Sequence, residues 1–186
     1  MPRYPLPMET APNLVLVGPM GAGKSAIGRR LAERLGLPFA DLDDDIEAAT
    51  GAAIPLIFDC EGEPGFRARE RAALQERLAG AGLALATGGG AVLDPLNRRL
   101  LRERGYVVWL RSAVDTQLER LSRCGHRPLL QQADRGDVLR RLATEREPLY
   151  QEVADLAFDT DGMTPGEAAG ALATLVHARW RAREQA

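Results

Sequence analysis

The chain has 186 residues, of which 45% are hydrophobic and 27% are charged, and its formal net charge is −2. This length predicts one globular domain with a core of its own, and two cysteines far apart in sequence favour free thiols in a reducing compartment. No apolar run approaches the roughly 20 residues of a transmembrane helix, no secretory signal is evident, and acidic and basic residues are interspersed. We therefore expect a cytoplasmic monomer with neither membrane nor nucleic-acid partners.

Short apolar strands alternate with amphipathic helices along the chain. Proline-rich residues 1–12 predict a disordered tail, and residues 13–186 predict a single domain. Strands are expected at 13–17, 38–41, 83–87, 106–110 and 154–158. Helices are expected at 24–35, 70–79, 95–104, 114–121, 137–145 and 165–183. The alternation indicates a three-layer α/β fold, in which a five-stranded parallel sheet carries helices on both faces.

A phosphate-binding motif follows the first strand and opens the first helix. The segment Gly-Pro-Met-Gly-Ala-Gly-Lys-Ser at 18–25 matches G-x-x-x-x-G-K-[ST] at every fixed position. Backbone N–H groups of such a loop converge on phosphate oxygens, the lysine adds a mobile cation, and the serine hydroxyl can bind Mg²⁺. The motif predicts a site for ATP and Mg²⁺, with loop residues Gly21, Ala22, Gly23, Lys24, Ser25 and Ala26.

The count of lysines narrows the class of P-loop protein. Arginine accounts for 23 of the 24 basic residues, and the only lysine is Lys24. The Asn-Lys-x-Asp element with which GTPases read guanine therefore cannot be built. Protein kinases are excluded because their lysine lies on an internal strand rather than in the phosphate loop. A small phosphotransferase acting on a metabolite or a nucleotide remains.

Such an enzyme must hold an acceptor hydroxyl near the γ-phosphate and neutralise the charge that develops there. Asp41 and Asp43 follow the second strand, where one could hold Mg²⁺ through water and the other could orient or deprotonate the acceptor. Asp43, Asp44 and Asp45 could also simply cap the next helix. The glycines at 88–90 could approach a small ligand or form a plain turn, and Arg127 could belong to a mobile lid at about 122–136 or be a surface arginine.

These elements, with their order and spacing, resemble those of shikimate kinases, which are small P-loop kinases with a nucleoside-monophosphate-kinase-like fold. The resemblance covers roughly residues 13–165. Its matching elements are the P-loop, Asp-Leu-Asp at 41–43, Glu-Gly-Glu at 61–63, Gly-Phe-Arg at 65–67 with Glu70, the glycines at 88–90, Arg-Pro-Leu-Leu at 127–130 and Arg-Glu-Pro-Leu-Tyr at 146–150.

The resemblance implies transfer of the ATP γ-phosphate to the 3-hydroxyl of shikimate, in aromatic amino-acid biosynthesis. On the matching positions, Asp43 would contact the shikimate hydroxyls and act as the base. Arg67 and Arg146 would bind the substrate carboxylate, which suits guanidinium groups, beside the backbone of Gly88, Gly89 and Gly90. Arg127 would act on the transferring phosphate as a lid arginine, and Arg120 would pack against adenine. Ser25 and Asp41 would lie in the inner and outer shells of Mg²⁺.

Two departures from the family pattern concern the substrate and nucleotide sites. Pro64 interrupts the usual acidic run and could stiffen the approach to Arg67, and no basic residue near Met163 is available for adenine. Two other functions stay open at this point. One is a gluconate or nucleoside-monophosphate kinase, which would share the phosphate loop without two carboxylate-binding arginines. The other is a nucleotide-binding module that has lost turnover, although Lys24, Asp43 and Arg127 are all present.

Overall fold

A single parallel sheet organises the chain in the computed structural model, which describes residues 13–122 and 135–184, the last seven without their side chains. The five strands lie in the order β2-β3-β1-β4-β5. They span Asn13–Val17 (β1), Phe39–Asp41 (β2), Ala84–Ala86 (β3), Gly105–Arg111 (β4) and Leu156–Asp159 (β5). The predicted five-stranded parallel sheet is confirmed. The predicted tail at 1–12 and most of the predicted lid at 122–136, including Arg127, lie outside the described residues.

Helices cover both faces of the sheet, as predicted. They span Lys24–Leu35 (α1), Leu42–Thr50 (α2), Ile54–Arg77 (α3), Pro95–Arg104 (α4), Val114–Ser122 (α5), Arg135–Val153 (α6) and Pro165–Glu184 (α7). Successive strand residues face opposite ways, so Leu14 and Leu16 join a core with α1 and α7, while Val15 and Val17 join a second core on the other face. Among these described helices, none has the length and apolarity of a membrane span.

Two helical predictions were too short, and one helix was predicted without bounds. The helix α2 had no predicted bounds, α3 begins at Ile54 rather than at Glu70, and α6 runs past Pro148 to Val153. The exposed stretches of α2 and α3 carry few buried residues, so the apolar spacing that marks a helix is weak there. The cap of α2 is also different from the prediction. Asp41 accepts from the Asp43 backbone N–H, so the cap is Asp41 and not one of the three following aspartates.

A break at Gly62 divides α3. Its φ of 67° and ψ of −179° lie outside the helical region, and the helix resumes beyond it. Pro64 therefore lies in the first turn of the resumed segment, where its missing N–H would have no helical partner. The second segment carries Arg67 and Glu70 to the glycine loop that follows β3.

Strand order reverses around β1, because β2 and β3 lie on one side of it and β4 and β5 on the other. In open α/β sheets, ligands bind beyond the carboxyl ends of the strands at such a reversal. The loop after β1 is the phosphate-binding motif, so topology and sequence indicate the same location.

Candidate active site

The phosphate loop turns tightly between β1 and α1. A Cβ atom on Gly18 would lie 2.3 Å from the carbonyl oxygen of Leu110 in β4, so no side chain fits there. Gly23 has a φ of 88° and directly precedes α1, a conformation that favours glycine. The six residues predicted to bind ATP all lie in this loop and in the first turn of α1: Gly21, Ala22, Gly23, Lys24, Ser25 and Ala26.

The cation of the loop is buried and directed onto its backbone. The Lys24 ammonium group donates to the carbonyl oxygens of Gly18 and Pro19 at 2.8 Å and 2.7 Å, and only 8% of the residue is exposed. Phosphate oxygens entering the loop would offer the ammonium group anionic partners instead.

Oxygen ligands suited to a divalent cation lie beside the lysine. The Ser25 hydroxyl donates to Oδ2 of Asp41, which connects the start of α1 to the end of β2. A hydroxyl and a carboxylate are the ligand types that Mg²⁺ prefers, with water and phosphate completing its shell. Among the described residues, no group of three or more His, Cys, Asp or Glu side chains could hold a metal by itself. Ser25 and Asp41 therefore fit Mg²⁺ that is bound together with a nucleotide.

The three glycines after β3 each face one of the predicted substrate side chains. A Cβ atom on Gly88 would lie 3.0 Å from Oδ1 of Asp43, and one on Gly90 would lie 2.3 Å from Nη2 of Arg67. A Cβ atom on Gly89 would lie 3.7 Å from Nη1 of Arg146 and 3.5 Å from the carbonyl oxygen of Gly18 in the phosphate loop. Asp43, Arg67 and Arg146, which are distant in sequence, thus lie around one glycine loop that touches the phosphate loop.

A buried carboxylate, for which the sequence predicts no role, holds one of these arginines. Glu70 accepts from Nη1 of Arg67 at 2.7 Å and is completely buried. Burial raises the pKa of Glu70 despite the opposing effect of Arg67, and the nearby Asp43 carboxylate raises it further. For Arg67, burial lowers the pKa, but Glu70 and Glu63 together hold it above its usual value. In the sequence, the sign of this contact is that Glu70 follows Arg67 by three residues, which places both side chains on one face of a helix.

Tyr150 is a second functional candidate for which the sequence predicts no role. Its hydroxyl donates to the carbonyl oxygen of Gly89 at 2.5 Å, and its ring stacks on Trp109 with centroids 5.9 Å apart. Burial raises the pKa of Tyr150 to about 12, against the opposing influence of Arg146, so the hydroxyl keeps its proton. Tyr150 lies one helical turn after Arg146 and fixes the loop that this arginine faces.

Arg120 of α5 lies at the other end of the cleft. It donates to the carbonyl oxygen of Gly21 at 3.1 Å, and it holds Thr160 through both the hydroxyl and the carbonyl oxygen. The arginine therefore connects α5 to the phosphate loop and to the segment after β5. Packing against adenine stays a prediction for Arg120, which lines the cleft together with Met163, and Lys24 is the other basic residue among the described lining residues. The cleft occupies about 520 Å³ and joins Lys24, Ser25, Asp41, Asp43, Gly88 and Arg120.

Comparisons with known proteins agree with this geometry. The profile of the shikimate kinase family matches residues 20–176. The chain belongs to the shikimate kinase family. A curated shikimate kinase of Stenotrophomonas maltophilia (strain K279a) is 54% identical over 177 residues, which cover 95% of this chain and 98% of the relative. A curated shikimate kinase of Xanthomonas campestris pv. campestris (strain 8004) is 53% identical and covers 94% of this chain and 97% of its own.

A solved structure resembles the whole fold. The shikimate kinase from Acinetobacter baumannii in complex with shikimate has a TM-score of 0.88 and 47% identity, covering 92% of this chain and 96% of that chain. This similarity confirms the predicted three-layer P-loop fold and the predicted family. As a member of this kinase family, the chain uses ATP as co-substrate.

Proposed function

We propose that this chain transfers the γ-phosphate of ATP to the 3-hydroxyl of shikimate, giving shikimate 3-phosphate and ADP, with Mg²⁺, as a cytoplasmic monomer. The observation that carries the proposal is the placement of Asp43, Arg67 and Arg146 around the glycine loop at 88–90. The two guanidinium groups suit a carboxylate at one end of the acceptor, and Asp43 suits hydroxyls at the other end, while Glu70 holds Arg67 in place. Family membership and the solved relative with shikimate support the same acceptor.

The nucleotide is held from the β1 side of the site. Backbone N–H groups of the phosphate loop and the α1 N-terminus would bind the β- and γ-phosphates, and Lys24 would exchange its carbonyl partners for phosphate oxygens. Ser25 and Asp41 would hold Mg²⁺, which when bound neutralises phosphate charge. Arg127, outside the described residues, would supply a further cation to the transferring group.

The acceptor is held from the β3 side. Arg67 and Arg146 bind the carboxylate, and this places the hydroxyls toward Asp43. Asp43 accepts the proton of the 3-hydroxyl while the oxygen of that hydroxyl forms a bond to the γ-phosphorus. The bond between that phosphorus and the β,γ-bridging oxygen breaks on the opposite side, and ADP leaves with its charge held by Lys24 and the loop amides.

An acceptor panel tests the proposal. ADP release with ATP and Mg²⁺ is measured with shikimate, gluconate, AMP, CMP or no acceptor, and only shikimate is expected to support turnover. Turnover on another acceptor and not on shikimate would show that the other acceptor is the substrate. ATP binding without any turnover would indicate a non-catalytic module.

Asp43→Asn tests the base in the same assay. We expect turnover to fall by about 10²- to 10⁴-fold, because the amide cannot accept the hydroxyl proton. Binding of ATP should be unchanged, since Asp43 lies on the acceptor side. Asp45→Asn is the matched control, because Asp45 is in the same helical turn and pairs with Arg77 at the surface. Full turnover by Asp43→Asn would remove this residue from the chemistry.

A further inference from the structure

The edge of Arg67 formed by Nε and Nη2 is occupied by a side chain of the same helix. Nε and Nη2 of Arg67 donate to one oxygen of Glu63, at 3.3 Å and 3.1 Å. These two groups form the side of a guanidinium that binds a carboxylate with two parallel hydrogen bonds. Glu63 thus presents to Arg67 the same chemical group that the acceptor carries.

The other sides of the guanidinium are fixed. Nη1 is held by Glu70, whose side chain is 1% exposed, and Gly90 packs against the guanidinium group, where a Cβ atom would lie 2.3–2.6 Å from Nη2, Nη1 and Cζ. Glu63 by contrast has 60% of its side chain exposed, and a single oxygen makes both of its contacts. An incoming carboxylate can therefore displace Glu63 into solvent but can displace neither Glu70 nor the glycine loop.

We propose that the edge of Arg67 formed by Nε and Nη2 binds the acceptor carboxylate and that Glu63 is an internal competitor for it. Glu63 must leave before an anionic acceptor binds, and it lowers the affinity for that acceptor. The inference rests on the proposed function, because it takes Arg67 to bind the acceptor carboxylate. Glu63 acts through Arg67 and has no part in phosphoryl transfer. The break at Gly62 and Pro64 places Glu63 at the start of the resumed helix, four residues before Arg67.

Glu63→Gln is the main test, because the amide keeps the size of the side chain and removes the competing charge. We expect the KM for shikimate to fall by about two- to fivefold, the range that corresponds to one exposed ion pair. The kcat and the KM for ATP should not change. The methyl ester of shikimate, which has no carboxylate charge, should show a smaller change in KM than shikimate or none. Glu63→Ala removes both the charge and the hydrogen bond to Arg67 that a glutamine side chain could still accept. It should lower the KM for shikimate at least as far as Glu63→Gln does.

Glu103→Gln is the matched control. It removes an ion pair of the same spacing, between Arg99 and Glu103 on the surface of α4, away from the site. This control should leave every kinetic constant unchanged. A higher or an unchanged KM for shikimate in Glu63→Gln would overturn the inference, the former by showing that Glu63 positions Arg67 for binding. If the unchanged chain does not phosphorylate shikimate at all, the proposed function fails, and this inference fails with it.

Discussion

At the scale of single residues, Glu70 combines a cost to folding with a use in binding. The carboxylate is completely buried, and its strongest described contact is Nη1 of Arg67 at 2.7 Å. Glu70→Gln keeps the shape but weakens this charged hydrogen bond, so Arg67 is held less firmly. We expect kcat/KM for shikimate to fall by about tenfold, with the KM for ATP unchanged. Glu76→Gln, on the exposed side of the same helix, is the control.

The raised pKa of Glu70 predicts that the effect of Glu70→Gln on stability depends on pH. Burial raises the pKa of Glu70 above its ordinary value of 4.5, so the folded state binds the proton more tightly than the unfolded state. Tighter proton binding by the folded state stabilises it below pH 4.5, and this stabilisation is lost as the pH rises through the raised pKa of Glu70. Stability of Glu70→Gln relative to the unchanged chain should therefore increase from pH 4.5 upward in urea unfolding. A relative stability that decreases with pH would contradict the assigned cause.

At the scale of elements, the glycine loop after β3 determines where Arg67 lies. The backbone of Gly90 has a φ of −98° and a ψ of 1°, which alanine tolerates, but a Cβ atom would lie 2.3–2.6 Å from three atoms of the guanidinium. Gly90→Ala should therefore move the flexible arginine rather than unfold the loop. We expect the KM for shikimate to rise about tenfold, comparable to weakening one charged hydrogen bond.

Gly80→Ala is the matched control for that experiment. A Cβ atom on Gly80 would meet nothing within 4 Å, so kinetics and stability should both be unchanged. A Gly90→Ala variant with normal shikimate kinetics but a large loss of stability would show that the glycine serves the loop and not the arginine.

The elements also show what sequence could and could not predict. The bounds of α1 and α4 match the prediction, because apolar spacing and a glycine stop mark α1 and a proline in the first turn marks the start of α4. The bounds of α2 and the first part of α3 were missed, because few of their residues are buried. Motifs predicted Asp43, Arg67 and Arg146 as site residues, and these do lie together. Glu70 and Tyr150 were not predicted because their roles depend on contacts with Arg67 and Gly89 that only the folded chain creates.

At the scale of the whole molecule, nucleotide binding should be coupled to folding. The phosphate loop joins the central strand to α1, and the oxygens of Ser25 and Asp41 meet only when β1 and β2 are in place. ATP with Mg²⁺ should therefore raise the free energy of unfolding by about 2.7 kcal/mol at 100 times its Kd. Chelation of Mg²⁺ should reduce this stabilisation, and AMP, which lacks the β- and γ-phosphates, should give little. Thermal unfolding measures this stabilisation. Equal stabilisation by AMP and ATP would contradict the assignment of the loop to the β- and γ-phosphates.

The central claim is that ATP phosphorylates the 3-hydroxyl of shikimate, and ³¹P NMR of the reaction mixture tests it most directly. The account predicts one new phosphate ester whose phosphorus couples to the proton on C3 of shikimate, appearing as the ATP γ-phosphate signal disappears. A phosphorus coupled to another ring proton would contradict the placement of Asp43 at the 3-hydroxyl. Inorganic phosphate alone would show that the site hydrolyses ATP without transferring its phosphate to the acceptor.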